Sequence, residues 1–170
     1  HRQGRCVKVK NALFDGPMTP NRSGSLPGSD LIELCYSGVS RAALTKKLVK
    51  QGGLLAYLGT DDLREVERRI DAGDAQAQLI FDAMVEQIAA EIASHVPKFQ
   101  GATIDRIILT GCVCPSGLLR QRLHRDLYPL GIKLTIFPGE REMEALRDGA
   151  LRVLRGMEAA RDYVPLRDKM

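Results

Sequence analysis

Apolar and charged positions alternate over residues 5–10, Arg-Cys-Val-Lys-Val-Lys, with the two-residue period of a half-exposed strand. Because it starts almost at the first residue, this predicted strand is an exposed edge that needs a partner. From Asp15 to Gly28 the pattern breaks into Gly, Pro and Ser, a long loop with one charged side chain, Arg22, at its middle. Ser29 and Asp30 cap a helix through Cys35 that Gly38 ends, and Ser40 caps another over Arg41–Lys50 that stops at Gly52-Gly53. The run Leu54–Leu58 is read as a short apolar strand. Thr60-Asp61-Asp62 opens a helix to about Asp71, and Glu65, three residues after Asp62, completes a capping-box pattern.

The longest helix is predicted from Asp74 to His95, closed by Pro97. Leu79, Ile80, Ala83, Met84, Ile88, Ala89, Ile92 and Val96 recur at helical spacing, with Phe81 and Val85 widening the apolar arc. So wide an arc is central to the core or half of a dimer contact, and the core is the preferred reading. The last third alternates regularly: strand over Ile104–Leu109, helix over Ser116–Leu127, strand over Ile132–Phe137, helix over Glu140–Arg155. Near-continuous apolar runs in both strands predict a parallel pair covered on both faces, joined by a right-handed crossover. There is no internal repeat, so the chain is expected to be a single α/β domain over residues 1–170.

Composition narrows the function classes. With 44% hydrophobic and 27% charged residues, the 170-residue chain is not a disordered one. The longest stretch without a charge, Ile107–Leu119, has 13 residues, too few to span a bilayer. No basic stretch followed by an apolar one opens the chain, and cysteines at 6, 35, 112 and 114 form no disulfide framework, so a cytoplasmic protein with reduced thiols is expected. A net charge of +4 is mild, and an absence of Trp with 5% aromatic residues leaves little to stack bases on. A small anion suits this charge at least as well as a nucleic acid, which is not expected as a partner.

Ligands of open α/β sheets bind beyond the carboxyl ends of the strands. Two loops lie there, residues 110–116 and 138–142. The first joins a strand to a helix, where backbone amides and the helix dipole favour phosphate, although a plain turn looks similar. Arg22, framed by Pro20 and Pro27 and by small residues, is either an oxyanion clamp on a constrained loop or a solvated arginine. Asp62 alone reads as a helix cap, and Arg64 as half of a surface ion pair with Glu67 or a neighbour of Arg68. Cys112 and Cys114 have the wrong spacing for a structural zinc site, His95 and His124 fall in no ligand motif, and no Ser-His-Asp arrangement is present. The basic run Arg120, Arg122, Arg125 reads as a solvated face.

Several strings taken together are more specific. Asn11-Ala12-Leu13, Asp15-Gly16-Pro17, Pro20-Asn21-Arg22-Ser23-Gly24 and Leu26-Pro27 come first. Gly53-Leu54-Leu55-Ala56-Tyr57-Leu58-Gly59-Thr60 follows, leading into Asp62-Leu63-Arg64-Glu65-Val66-Glu67. Ile107-Ile108-Leu109-Thr110-Gly111, Pro138-Gly139-Glu140, Glu142-Met143-Glu144-Ala145-Leu146 and Gly149-Ala150-Leu151-Arg152-Val153-Leu154 complete the set. In this order, from about Gly4 to Tyr163, the chain resembles the butyrate kinases of the acetate kinase family.

The resemblance implies the C-terminal domain of a two-domain carboxylate kinase: an actin-like, ribonuclease H-like α/β domain, its mixed sheet flanked by helices on both faces and its first strand missing. It implies phosphoryl transfer between ATP and the carboxylate of a short-chain fatty acid, giving an acyl phosphate and ADP with Mg2+, and a homodimer. By motif, Arg22 matches the arginine that stabilises the transferring phosphoryl group. Asp62 and Arg64 match the nucleotide-contacting Asp-x-Arg, Gly111 falls in the loop against the nucleotide, and Glu142 matches an acidic residue near the metal.

Two departures accompany it. Thr110-Gly111-Cys112 stands where butyrate kinases read Thr-Gly-Gly, placing a side chain where backbone and ligand come close, and Pro115 removes a backbone donor from the same loop. The N-terminal half of such a kinase, with its Gly-rich phosphate segment, is absent, so the chain is expected to be a fragment or split subunit needing that half as a partner. The alternative is a non-catalytic remnant serving as a dimerisation or interaction domain.

Overall fold

The structure is a computed structural model that describes residues 1–111, 114–139 and 141–162. His1–Pro138 form one compact unit, and the chain from Gly139 forms a second. Within the first unit the described elements are α1 (Gly28–Tyr36), α2 (Arg41–Lys50), α3 (Gly53–Leu58), α4 (Leu63–Asp71), α5 (Ala75–Ser94), β1 (Ile107–Gly111), α6 (Gly117–Leu127) and β2 (Leu134–Pro138). The second unit carries α7 (Glu142–Leu154).

The core sits around α5. Phe81, Met84, Val85 and Ala89 of α5 meet Leu54 of α3, Val66 of α4 and Leu119, Leu123 and Leu127 of α6, with Met18 reaching in from the long loop. Buried positions 77, 81, 84, 85 and 89 follow the helical period, so the wide arc of this helix serves the core. Leu79, counted in that arc, is exposed. Asp74 caps α5 by accepting the Ala77 amide at 2.9 Å and holds Arg69, which also donates to the Leu58 carbonyl at 2.8 Å. One side-chain cluster thereby ties the ends of α3 and α4 to the start of α5.

β1 and β2 pair in parallel, Ile107 against Leu134 through Gly111 against Pro138. The face bearing Ile107, Leu109 and Leu134 packs on the core, whereas Ile108 and Phe137 on the other face are each 58% exposed. The alternation along β1 is that of a strand with one face on the core rather than of one buried on both.

Three local expectations are corrected. Residues 5–10 form no strand: all are exposed, and apart from one antiparallel bridge between Arg2 and Arg5 no strand pairing forms there among the described residues. A strand without a neighbour leaves its amides and carbonyls to water and has no ladder to hold it. Leu54–Leu58 is helix α3, not a strand. A five-residue apolar run fits either structure, and Gly59, in the left-handed conformation at φ 75° with its amide on the Leu55 carbonyl, is a helix stop. The capping box at α4 is half made. Asp62 accepts the Arg64 amide, but its own amide donates to the Thr60 hydroxyl and not to Glu65.

Candidate functional site

The Arg22 loop has no regular structure and is nevertheless held at many points. It is pinned to itself by Thr19 N–H to the Arg22 carbonyl (3.1 Å), Arg22 N–H to the Thr19 hydroxyl (3.0 Å) and Ser25 N–H to the Gly16 carbonyl (2.9 Å). It is pinned to its surroundings by Met18 N–H to Gln87 Oε1 (2.9 Å), Ser23 N–H to the Leu48 carbonyl (2.9 Å), Gly52 N–H to the Asn21 carbonyl (3.1 Å) and Leu55 N–H to the Pro20 carbonyl (2.9 Å). Glycine is required at the contact. Gly53 has φ +61°, and a Cβ there would collide with the Thr19 carbonyl; at Gly24, φ +72°, it would lie 2.6 Å from the Met18 nitrogen. The two glycines let the loop lie backbone against backbone on itself and on the start of α3. Arg22 projects from this frame half-buried, with one guanidinium nitrogen donating to the Ala12 carbonyl at 3.0 Å.

Arg22 opens onto a cavity of about 750 Å³ within the first unit, lined also by Thr19, Asn21, Asp61, Asp62, Arg64, Glu67, Pro115 and Ser116. The opposite wall is the start of α4. Asp62 caps that helix and takes Arg64 as a fork, Oδ1 from Nε at 3.0 Å and Oδ2 from Nη2 at 2.8 Å. The guanidinium beside it and the Arg64 amide hold the Asp62 carboxyl below its ordinary value of 3.8, so it is ionised at neutral pH. Arg64 is half of an ion pair, as its sequence context suggested, but the partner is Asp62 and not Glu67, which is engaged by Ser116. Asp61 has no hydrogen-bond or ion-pair partner among the described residues.

The third wall is the mouth of α6, beyond the carboxyl end of β1, where Pro115 leads into the helix-capping Ser116. The Ser116 hydroxyl accepts the Leu119 amide at 3.0 Å and donates to Glu67 Oε1. The Arg120 amide is taken by the Ser116 carbonyl, while Gly117 and Leu118 amides have no acceptor among the described residues. Unpaired first-turn amides and the positive end of the helix dipole are suited to an anion.

Of the residues singled out from sequence, Arg22, Asp62 and Arg64 share this cavity. Gly111 does not line it. It ends β1 at φ +95°, paired with Pro138, and its carbonyl accepts the Cys114 amide, so the loop it starts reaches the cavity four residues later. Glu142 is the exposed first residue of α7, in the second unit. Cys112 lies outside the described residues; Cys114 is buried. The described residues contain no cluster of three metal-binding side chains and no helix long and apolar enough to cross a membrane. Sequence reasoning missed Glu67 and Asp61 as cavity residues. Ser116 closes the strand-to-helix loop it singled out, but nothing local linked that serine to a glutamate 49 residues earlier.

The profile of the acetokinase family matches residues 2–149. A probable butyrate kinase 2 of Caldanaerobacter subterraneus subsp. tengcongensis is 48% identical over 161 residues, which make up 94% of this chain and 45% of the relative. The chain thus spans about half the length of the curated relatives it matches. The crystal structure of the acetate kinase of Porphyromonas gingivalis superposes with a TM-score of 0.69 at 20% identity, covering 81% of this chain and 41% of that one. A propionate kinase of Francisella tularensis gives 0.66 at 23% identity, covering 75% and 38%. These likenesses place the α/β fold with the actin-like architecture of acetate kinases.

Proposed function

Because the chain belongs to the acetokinase family, we propose that it supplies the nucleotide-binding part of a kinase acting on short-chain fatty acids of the butyrate type. The observation that carries this reading is the shared cavity: a pinned arginine, the Asp62–Arg64 fork and the Pro115–Ser116 entry to α6 line one cavity within a single unit. In the reaction, a carboxylate oxygen of the acid forms a bond to the γ-phosphorus of ATP. The bond from that phosphorus to the β–γ bridging oxygen breaks, releasing ADP and leaving an acyl phosphate. Charge spreads over the equatorial oxygens at the transition state, where a pre-positioned Arg22 guanidinium stabilises it with little reorganisation. Asp62 and Arg64 hold the nucleotide, and the loop after Gly111 leads the α6 mouth to its phosphates.

A magnesium ion held here would offset the phosphate charge, and one or two carboxylates would be enough to hold it. Asp61 fits that limited demand. Among the described residues it is the cavity carboxylate without a partner, whereas Asp62 is held by Arg64 and Glu67 by Ser116. Glu142 is the second candidate, on the strength of its motif alone. The acid would be gripped largely by the complementary N-terminal half, making that half a required partner. We extend the reading to one domain spanning both units, to a homodimer and to the cytoplasm.

The test is calorimetric titration with ATP and magnesium, followed by hydroxamate trapping of acyl phosphate once the N-terminal half is supplied. Binding that Asp62→Ala abolishes, with trapped butyryl hydroxamate, supports the kinase. A folded chain that takes up no nucleotide overturns it in favour of a non-catalytic remnant.

A further inference from the structure

We propose that Glu67 is a positioning residue that sets the phosphate-facing mouth of α6 through the hydroxyl of Ser116. The inference rests on the nucleotide reading above and names a residue pair which that reading does not use. The Ser116 hydroxyl has one proton, and it goes to Glu67 Oε1; an oxygen lone pair receives the Leu119 amide at 3.0 Å. With both directions engaged and only 9% of the residue exposed, Ser116 is placed to orient and not to react. Its neighbour Pro115 has no amide hydrogen to offer a ligand, so the free first-turn donors next to the cavity-lining Ser116 are the amides of Gly117 and Leu118. Their aim depends on where Ser116 holds the first turn.

Glu67 connects that turn to the opposite wall. It lies on α4 one turn beyond Leu63 and Arg64, which line the same cavity. α4 and α6 each pack on α5. Among the described residues, Glu67 to Ser116 is the hydrogen bond that joins the two helices directly. The Asp62–Arg64 fork and the α6 amides would grip different parts of one nucleotide, and a hydrogen bond to a carboxylate fixes their spacing more firmly than a neutral one. A bare glutamate in a phosphate cavity would repel its ligand. Engaged with Ser116, its charge is partly satisfied and its oxygen serves as an anchor.

The experiment measures the affinity of the chain for ATP with magnesium by calorimetry, at a temperature where far-ultraviolet circular dichroism shows each variant folded. Glu67→Ala leaves the Ser116 cap intact and should weaken binding about tenfold, the scale of one hydrogen bond. Glu67→Gln retains an acceptor oxygen and should stay within about threefold of wild type. Ser116→Ala should resemble Glu67→Ala, and the double variant should be no weaker than the worse single one, because both remove the same link. Ser116→Thr, which retains hydroxyl and cap, should bind normally. If the serine-to-alanine chain fails to fold, the Glu67 pair alone decides the matter. Wild-type affinity in Glu67→Ala overturns the proposal, as does Glu67→Gln binding as weakly as Glu67→Ala, which would make the charge the operative feature. No binding by the wild-type chain overturns the nucleotide reading itself and this inference with it.

Discussion

Residues 5–10 and residues 16–25 invert the usual relation between regularity and order. The first segment alternates as cleanly as any strand, yet Val7 and Val9 are 46% and 78% exposed and no ladder forms. The second has no period at all, yet Met18 is 5% exposed and the backbone is bonded to Gln87, Leu48, Gly52 and Leu55. Alternation is a pattern for meeting a neighbour, and it stabilises nothing until the neighbour is present. The loop needs no neighbour strand, because glycines let other backbone come within bonding distance of its own. Arg22 therefore sits on the better-ordered of the two segments. That is what an arginine acting on a transition state requires, since a mobile guanidinium would have to be ordered during the reaction.

The sharpest way to break the comparison is to separate placement from stability. Arg22→Ala should lower acyl-phosphate formation about 10³-fold in the assembled kinase, the scale of a phosphoryl-stabilising arginine. Its urea midpoint should move little, because the side chain touches the fold through one carbonyl. A large loss of stability would make Arg22 a structural residue. Next in size, Gly53→Ala should cost roughly 3 kcal/mol or more, through left-handed strain and the clash with the Thr19 carbonyl. Nucleotide binding should fall with it as the loop lifts from α3. By contrast Val9→Ala, in the regular but unpaired segment, should stay within about 0.5 kcal/mol. Equal effects at 53 and 9 would remove the distinction between the two regions.

How much of this was legible in the sequence follows the same line. α2, α4, α5 and α6 were readable because their caps are local: Ser40, Asp62, Asp74 and Ser116 each accept an amide two or three residues on. The parallel pairing of β1 and β2 followed from the intervening helix. The failures were non-local. Whether residues 5–10 find a partner, and whether Leu54–Leu58 coils or extends, depends on what lies across from them. At the candidate site, Arg22, Asp62 and Arg64 were found through their motifs, not their periodicity. Glu67 ends one of those motifs and Ser116 was legible as a cap, but neither was assigned a place in the site. Their link exists because α4 and α6 pack on a common helix, which no window of sequence displays.

The smallest expected effect concerns the cluster that fastens α3, and with it the loop. Asp74 accepts the Ala77 amide and the Arg69 guanidinium, which together hold its carboxyl below the ordinary 3.8. A group whose pKa is lower folded than unfolded stabilises fully above the unfolded value, and this is lost as acid protonates it through the folded value. The melting temperature should therefore be flat near neutrality and decline from about pH 5 towards pH 3. Asp74→Asn retains a capping oxygen but no charge for Arg69, so it should melt lower at pH 7 and lose less on acidification, the two curves converging in acid. Because Arg69 also holds the Leu58 carbonyl at the end of α3, hydrogen exchange should rise first in residues 53–58 and in the loop bonded to them. Exchange rising instead only where Lys10 meets Glu91 would place the acid-sensitive contact on the unpaired segment and reverse the order of the two regions.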